Sequence, residues 1–477
     1  MDKKDMRKYL FLFLLLVMAV ALPIVMVKTT YLVAPLIIIG VASLFLLGLT
    51  FWNYQIGVFI LFLYGSIIFY IDRLLMMNIP FGIAFDFIII LIFLALLVNL
   101  KGSGSFQWKA KEPITIVQYI FYAYFILQIV NPSAVSISAW LASARFLTIF
   151  LLYYVFIHFF RDKTRIQQFN NMWITVAIII AAYGIFQEYF GLRSFEWRWL
   201  RSVPGRYELY FIWGHLRKFS ILSDPASYGI FLGFCGTGVL MLAMGPMKGL
   251  KRFRLISSAL FMFFAMSFAG TRTAYAMIIV SVVLYILLNL RNPKVLGIST
   301  FIIMIFTILM IGPFYSAPIN RMRSTIYFSE DASMNVRDYK RIRLQKYVKA
   351  HPIGGGINTA GNAGLRYSRG HPLAGRYDPD SGYLRTALEM GYIGLFLVIL
   401  INTAVVITGI NNYFNLRDNE LKYYNLALFI PFLGISVAHY TQDAMFQKPV
   451  NILVVATYAL MIKVKDIDDD LQNQKNP

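Results

Sequence analysis

Apolar runs about as long as a bilayer is thick recur through this chain, and no other feature constrains its fold as tightly. A helix needs roughly 20 consecutive apolar residues to cross the hydrocarbon layer. About fourteen such runs can be drawn, at 9–27, 31–51, 55–71, 84–100, 114–130, 142–160, 172–190, 226–244, 254–269, 274–290, 295–313, 384–410, 425–442 and 448–462. The run 254–269 is short and 31–51 is nearly continuous with 55–71, so twelve or thirteen spans are equally compatible with the pattern. The composition agrees. Hydrophobic residues make up 58% of the 477 and charged residues 14%, against about half and about a quarter in an average soluble domain. The expected fold is all-α, a polytopic membrane bundle of about 12–14 transmembrane helices.

The short connections set an orientation. With the N-terminus inside, MDKKDMRK, KGSGSFQWKAKEP, RDKTR, MKGLKRFR, RNPK, LRDNELK and the tail all face the cytoplasm, and they are rich in Lys and Arg. The short loops on the other side carry few, which is the positive-inside pattern. Both termini are then cytoplasmic, and the first apolar run is an uncleaved span rather than a signal peptide. Two segments, 191–225 and 314–383, are too long for simple loops and fall outside. The resulting organisation is an N-terminal bundle (1–190), a first long extracytoplasmic loop (191–225), central helices (226–313), a large, partly helical extracytoplasmic loop (314–383), C-terminal helices (384–462) and a cytoplasmic tail (463–477), whose stretch DIDDDLQNQKNP (466–477) reads as disordered. The net charge of +21 would suggest nucleic acid in a soluble protein. Here part of it belongs to cytoplasmic loops, no nucleic-acid partner is expected, and membrane lipids are natural neighbours. The single cysteine, Cys235, lies in an apolar run and excludes an intrachain disulfide.

The two outer segments hold the chemistry. Arg outnumbers Lys in both, and the guanidinium is a planar fork suited to phosphate or carboxylate. The basic residues bind either a ligand's anionic group or anionic lipid heads. Arg272 sits in SFAGTRTAYAM, a polar break between two apolar runs, where a charge must snorkel or meet an anion. Arg145, in SARFLTIFLL, lies slightly deeper, and Asp86 or Glu188 is its structural alternative. Arg217 precedes Asp224-Pro225, the start of a helix, where Asp224 reads as the cap. In MNVRDYKRIRLQKYVKA, expected to be helical over 334–350, Arg337 and Arg341 recur one turn apart. In HPLAGRYDPDSGYLRTALEMGYIG, Asp380 and Ser381 stand at the mouth of a returning span with His371 upstream. Asp380 or His371 can serve as a base toward a sugar hydroxyl while arginines stabilise a leaving diphosphate. Asp380 or Ser381 can equally be the helix cap, and His371 and His215 ordinary loop histidines. Glu389 reads as a hydrogen-bonding residue of the bundle, and Gly391 and Gly394 as close-packing positions. No HExxH, CxxC or His/Cys cluster, and no GxGxxG, P-loop or GxSxG, is present, so neither a metal nor a cofactor is expected.

Four segments in order, LRKFSILSDPASYG, SFAGTRTAYAM, HPIGGGINTAG and DSGYLRTALEMGYIG, resemble the O-antigen ligase/polymerase family of bacterial membrane proteins. The likeness spans about residues 200–400. It implies a GT-C-like bundle and a metal-independent glycosyltransferase of the inner membrane. Such an enzyme takes a glycan from a polyprenyl diphosphate on the outer leaflet and transfers it to an acceptor glycan or lipid. Diphosphate-binding arginines would correspond to Arg217 and Arg272, then Arg337, and the base role to Asp380 or His371. The family's ligases usually place a His in the polar pair before Tyr-Leu; Asp380-Ser381 here departs from that. It favours a polymerase of O-antigen, capsule or exopolysaccharide repeat units, working beside a chain-length regulator. A ligase attaching the glycan to a lipid or protein is the alternative, and a transporter or flippase of lipid-linked glycan is the alternative of another class.

Overall fold

The structure is a computed structural model and describes residues 45–46, 48–76, 81–100, 106–212, 214–293, 295–297, 300, 344–375 and 379–475, with six further positions between 304 and 342. The candidate residues Arg337 and Arg341, and the expected spans at 9–27 and most of 31–51 and 295–313, lie outside the described residues. In chain order the helices are α1 (Tyr54–Leu75), α2 (Phe81–Leu100), α3 (Pro113–Leu127, continued by a 3₁₀ turn to Val130), α4 (Ile137–Ala144), α5 (Leu147–Phe159) and α6 (Lys163–Phe190). Then come α7 (Ser194–Arg201), α8 (Arg206–Tyr210), a small hairpin of β1 (Phe211–Ile212) and β2 (His215–Leu216), α9 (Pro225–Met244), α10 (Gly249–Ser267) and α11 (Arg272–Leu288). The last are α12 (Gly361–Tyr367), α13 (Gly382–Asn415), α14 (Asn419–Ala438) and α15 (Val450–Lys475).

Eight helices among the described residues are long and apolar enough to cross a membrane. The protein is therefore all-α and polytopic, as its apolar runs predict. Three further expected spans coincide with α10, α11 and α15. The chain divides into two compact units, Met1–Leu61 with Ile90–Phe106, and Phe62–Ile89 with Gln107–Pro477. Within the first, Gly57 packs against Ile92 so closely that a Cβ would come 2.7 Å from its Cγ1. Everything below concerns the second unit.

Its centre is α9, whose apolar window is 89% buried, with α14 next at 78%; the other spans are mostly exposed along one side, as lipid-facing helices are. Asp224 caps α9, its Oδ1 accepting from the N–H of Ala226 and Ser227 at 2.8 and 3.0 Å, with Pro225 at the first helical position. Asp418 caps α14 in the same way. Pro431 interrupts α14 and, lacking an N–H, leaves the Ala427 carbonyl without its helical donor. At that carbonyl α9 comes closest: a Cβ on Gly238 would lie 2.5 Å from Ala427 O.

The tail is ordered, contrary to expectation. The helix α15 runs to Lys475, and Asp468 accepts from the backbone N–H of Arg417 and Asp418 at 2.9 and 2.8 Å. Asp468 thus holds the start of α14, and the helix continues through the acidic run.

Candidate functional site

The helix α13 is broken at Gly391 (φ 69°). A broken helix in an apolar layer must satisfy its freed backbone groups internally. The glycine-rich turn after His351 does this. Gly355 N–H donates to Leu388 O at 2.8 Å and Gly356 N–H to Glu389 O at 3.0 Å, while Pro352 O accepts from Tyr392 N–H at 2.9 Å. Tyr124 Oη donates to Met390 O at 2.8 Å. Gly354 (φ 83°) and Gly391 lie so close to the opposing backbone that only glycine fits. The Glu389 carboxylate accepts from the backbone N–H of Asn358 and Ala360. HPIGGGINTAG is thus the surface on which the kinked helix rests.

Beside this kink lies a cavity of about 450 Å³, lined by residues from α2, α3, α4, α5, α13, α15 and the turn 439–449. Its walls are largely aromatic and aliphatic, with six acidic or basic side chains: Asp86, Arg145, Arg385, Glu389, Asp443 and Lys448. Arg145 Nε pairs with Asp86 Oδ2 at 2.9 Å, so the acid expected as its alternative partner is indeed there. Glu188, the other candidate, instead pairs with Lys218 at 3.3 Å. Arg385 Nη1 donates to Asp443 Oδ2 at 3.0 Å and its Nη2 to Pro379 O at 3.3 Å. This arginine, one turn into α13, ties the segment around Asp380 to the turn 439–449. Burial, and next the neighbouring Arg145, push the Lys448 ammonium down to about 8, with Asp86 opposing them.

A second basic station sits at the start of α11. The expected polar break is present: α10 ends at Ser267 and α11 begins at Arg272. Arg217 reaches into it, Nε donating to Ala269 O at 2.9 Å and Nη2 to Thr271 Oγ1 at 3.0 Å. Thr271 is the residue before Arg272 and also donates to Pro225 O at 3.0 Å. The two arginines of the first two motifs therefore meet at one helix N-terminus, a place that favours anions. Thr273 and Thr441 are joined hydroxyl to hydroxyl at 3.0 Å, which connects this station to the turn that carries Asp443 and Lys448.

The remaining candidates are distributed differently. Ser381 is the cap of α13, accepting from Leu384 N–H at 3.3 Å; Asp380, immediately before it, is exposed. His371 is buried. Its Nδ1 accepts from Leu373 N–H at 3.2 Å, and Nε2 faces Tyr347 Oη at 3.3 Å. It does not line the cavity, and both ring nitrogens are engaged. His215 is in β2.

Residues 257–399 match the family model described as O-Antigen ligase. The match runs from within α10 to the middle of α13, so it includes Arg272, the glycine-rich turn and Asp380, and it supports assignment to the O-antigen ligase/polymerase family, whose members are enzymes of glycan assembly. Comparison with curated proteins finds no match. Arg217, Arg145, Asp443 and Lys448 lie outside the matched stretch in sequence yet beside it in space. Asp443 and Lys448 were missed because 425–442 reads as one continuous span; the signal that could have found them is the polar run HYTQDAMFQKP, which ends that span early.

Proposed function

We propose that this protein is a glycosyltransferase of the bacterial inner membrane that polymerises glycan repeat units carried on a polyprenyl diphosphate. The convergence of Arg217 on the break that ends at Arg272 carries this reading. In the proposed orientation that station faces outward, with both termini in the cytoplasm, and Arg217, Arg272 and Arg337 grip the diphosphate while Arg341 and Arg145 add positive potential. Arginine forks and a helix N-terminus supply donors where negative charge grows on the leaving diphosphate. The acceptor hydroxyl attacks the anomeric carbon, the bond to the diphosphate oxygen breaks, and the hydroxyl proton passes to a carboxylate. Asp443, which accepts from Arg385, and Asp380, next to the Pro379 carbonyl that the same arginine holds, are the carboxylates we assign to that role.

Arg272→Ala and Arg217→Ala are expected to abolish long-chain glycan, with at least a hundred-fold loss, while the protein still inserts. Asp380→Asn and Asp443→Asn divide the base role, and only the residue that holds it should lose activity comparably. Unchanged chain-length ladders in both arginine variants defeat the assignment. Transfer of preassembled glycan to a lipid acceptor, with no ladder formed, identifies a ligase instead. The broken α13 is a device that transporters also use, but here its freed groups are bonded by the glycine-rich turn, which favours chemistry over transport.

A further inference from the structure

The cavity beside the α13 kink contains an unexplained set of buried amides. Gln118, Asn402 and Asn451 line it and are 3%, 7% and 6% exposed. Each leaves one polar atom without a hydrogen-bond partner: Gln118 Nε2, Asn402 Oδ1 and Asn451 Oδ1. A buried orphan of this kind costs about 1–3 kcal/mol, and all three residues line one space. Whichever way each amide is turned, the group that satisfies it is a hydroxyl, because a hydroxyl both donates and accepts. Aromatic walls with a few placed polar groups, in a volume of about 450 Å³, suit a small ligand with apolar faces and a hydroxylated rim.

The ionisable groups add a polarity. Arg145 and Lys448 stand around the single carboxylate of Asp86. Arg145 and Thr148 occupy its two oxygens, at 2.9 and 3.5 Å. Among the described residues Lys448 makes no ion pair, and its ammonium lies 4.3 Å from the centre of the Phe85 ring. That group carries two cations to one acid. The other group, Arg385 with Asp443 and Glu389, carries one cation to two acids.

We infer that the cavity is a saccharide subsite for a sugar unit bearing a carboxylate, with the hydroxyls on the three amides and the carboxylate against Lys448 and Arg145. A bound carboxylate would complete the charge balance of the Asp86 group. The inference rests on the glycan-transfer reading for its choice of ligand class and extends it: the glycan handled is acidic.

The test uses the full chain in lipid nanodiscs, with cellobiouronic acid and cellobiose as probes and geranyl diphosphate as a competitor. The uronic disaccharide should bind at least ten-fold more tightly than the neutral one. Lys448→Met should erase that difference, Lys448→Arg should restore it, and Asn451→Leu should weaken both sugars. Equal affinity for the two sugars, or a preference indifferent to Lys448→Met, overturns the inference. So does competitive displacement by geranyl diphosphate, which would make the cavity the diphosphate's own site. Loss of uronide binding on adding phosphatidylglycerol to the nanodisc would likewise overturn it, since the cavity would then hold a lipid headgroup. Uronide binding that persists where geranyl diphosphate does not bind at all sinks the transfer reading and leaves the subsite standing.

Discussion

Two segments flank the start of α11 and α13, and they are held with different emphasis: side chains such as Asn131, which donates to Ile353 O and Gly354 O, also hold the second, and Lys218 N–H donates to Phe268 O from the first. Residues 191–224 are pinned by side chains. Arg73, at the end of α1, is 1% exposed and donates to Leu222 O and to Ser220 O, the latter at 2.8 Å. Its guanidinium lies 4.7 Å from the Phe219 ring and 5.3 Å from Trp199. Glu196, fully buried, accepts from Gln187 Nε2 at 2.7 Å and Tyr183 Oη at 3.2 Å. Residues 351–375 are docked by backbone, through glycine amides on the kink of α13. A side-chain pin can be removed singly, leaving the rest of its segment in place. A backbone dock tolerates no added atom, and so couples the segment to the helix as one piece.

The largest effect should come from breaking the backbone dock. A Cβ at Gly391 would lie 2.0 Å from Pro352 O, at a φ of 69°. Gly391→Ala is therefore expected to cost roughly 2–5 kcal/mol, from left-handed strain and overpacking together. It should lower the thermal midpoint followed by size-exclusion and abolish glycan transfer, because Asp380 and the α13 cap move with the dock. A midpoint within a degree or two of the parent's would mean that the turn and helix are separable after all.

Next comes Arg73→Met, which keeps much of the volume and removes the donors. Leu222 O loses its donor at about 1–3 kcal/mol while Ser220 O keeps Gln187 Nε2 at 3.4 Å, and the loss should stay local. Amide hydrogen exchange at 218–224 should rise while 351–375 stays protected. Since Arg217 is the residue before this stretch, transfer should fall by roughly ten-fold without vanishing. Uniform deprotection of both segments would erase the distinction between pin and dock.

How much of this was legible in the chain follows the same division. Features written in one residue and its near neighbours could be read: the Asp224-Pro225 cap, the polar break at Arg272, the return of the chain at Ser381, the acid opposite Arg145. Arg73 could not. A lone arginine at the end of a span looks like any snorkelling loop charge, and its carbonyl partners lie about 150 residues away. The dock could not be read either, because backbone donors bonding backbone acceptors have no side-chain signature; HPIGGGINTAG announced only a turn. The tail was misread because Asp468 acts on a helix start 50 residues upstream, a pairing that an acidic run does not display. Asp443 and Lys448 were hidden by the apolar stretch ahead of them, which made a turn look like the end of a span.

The smallest effect concerns pH and separates the two segments again. His371 is held within the docked segment, near Tyr347, His351, Ser133 and the Leu373 amide. Burial first, and then His351, push its imidazole below the usual value, with a Ser133 backbone bond opposing them. The unfolded chain then takes up a proton more readily than the folded one, so the stability this group contributes is present in full above the ordinary histidine pKa of about 6.5 and declines as pH falls through it. Between pH 7.5 and 5.5 the thermal midpoint should drop, and His371→Asn, which keeps an acceptor for Leu373 N–H, should blunt that drop while leaving the midpoint at pH 7.5 nearly unchanged. Exchange in 218–224 should show no such blunting, since no histidine holds that segment. An acid sensitivity identical in parent and variant would free His371 from the structural account. If His371→Asn instead removes glycan transfer at pH 7.5 with folding intact, the imidazole acts on the substrate, and the docked segment is then part of the reaction as well as its support.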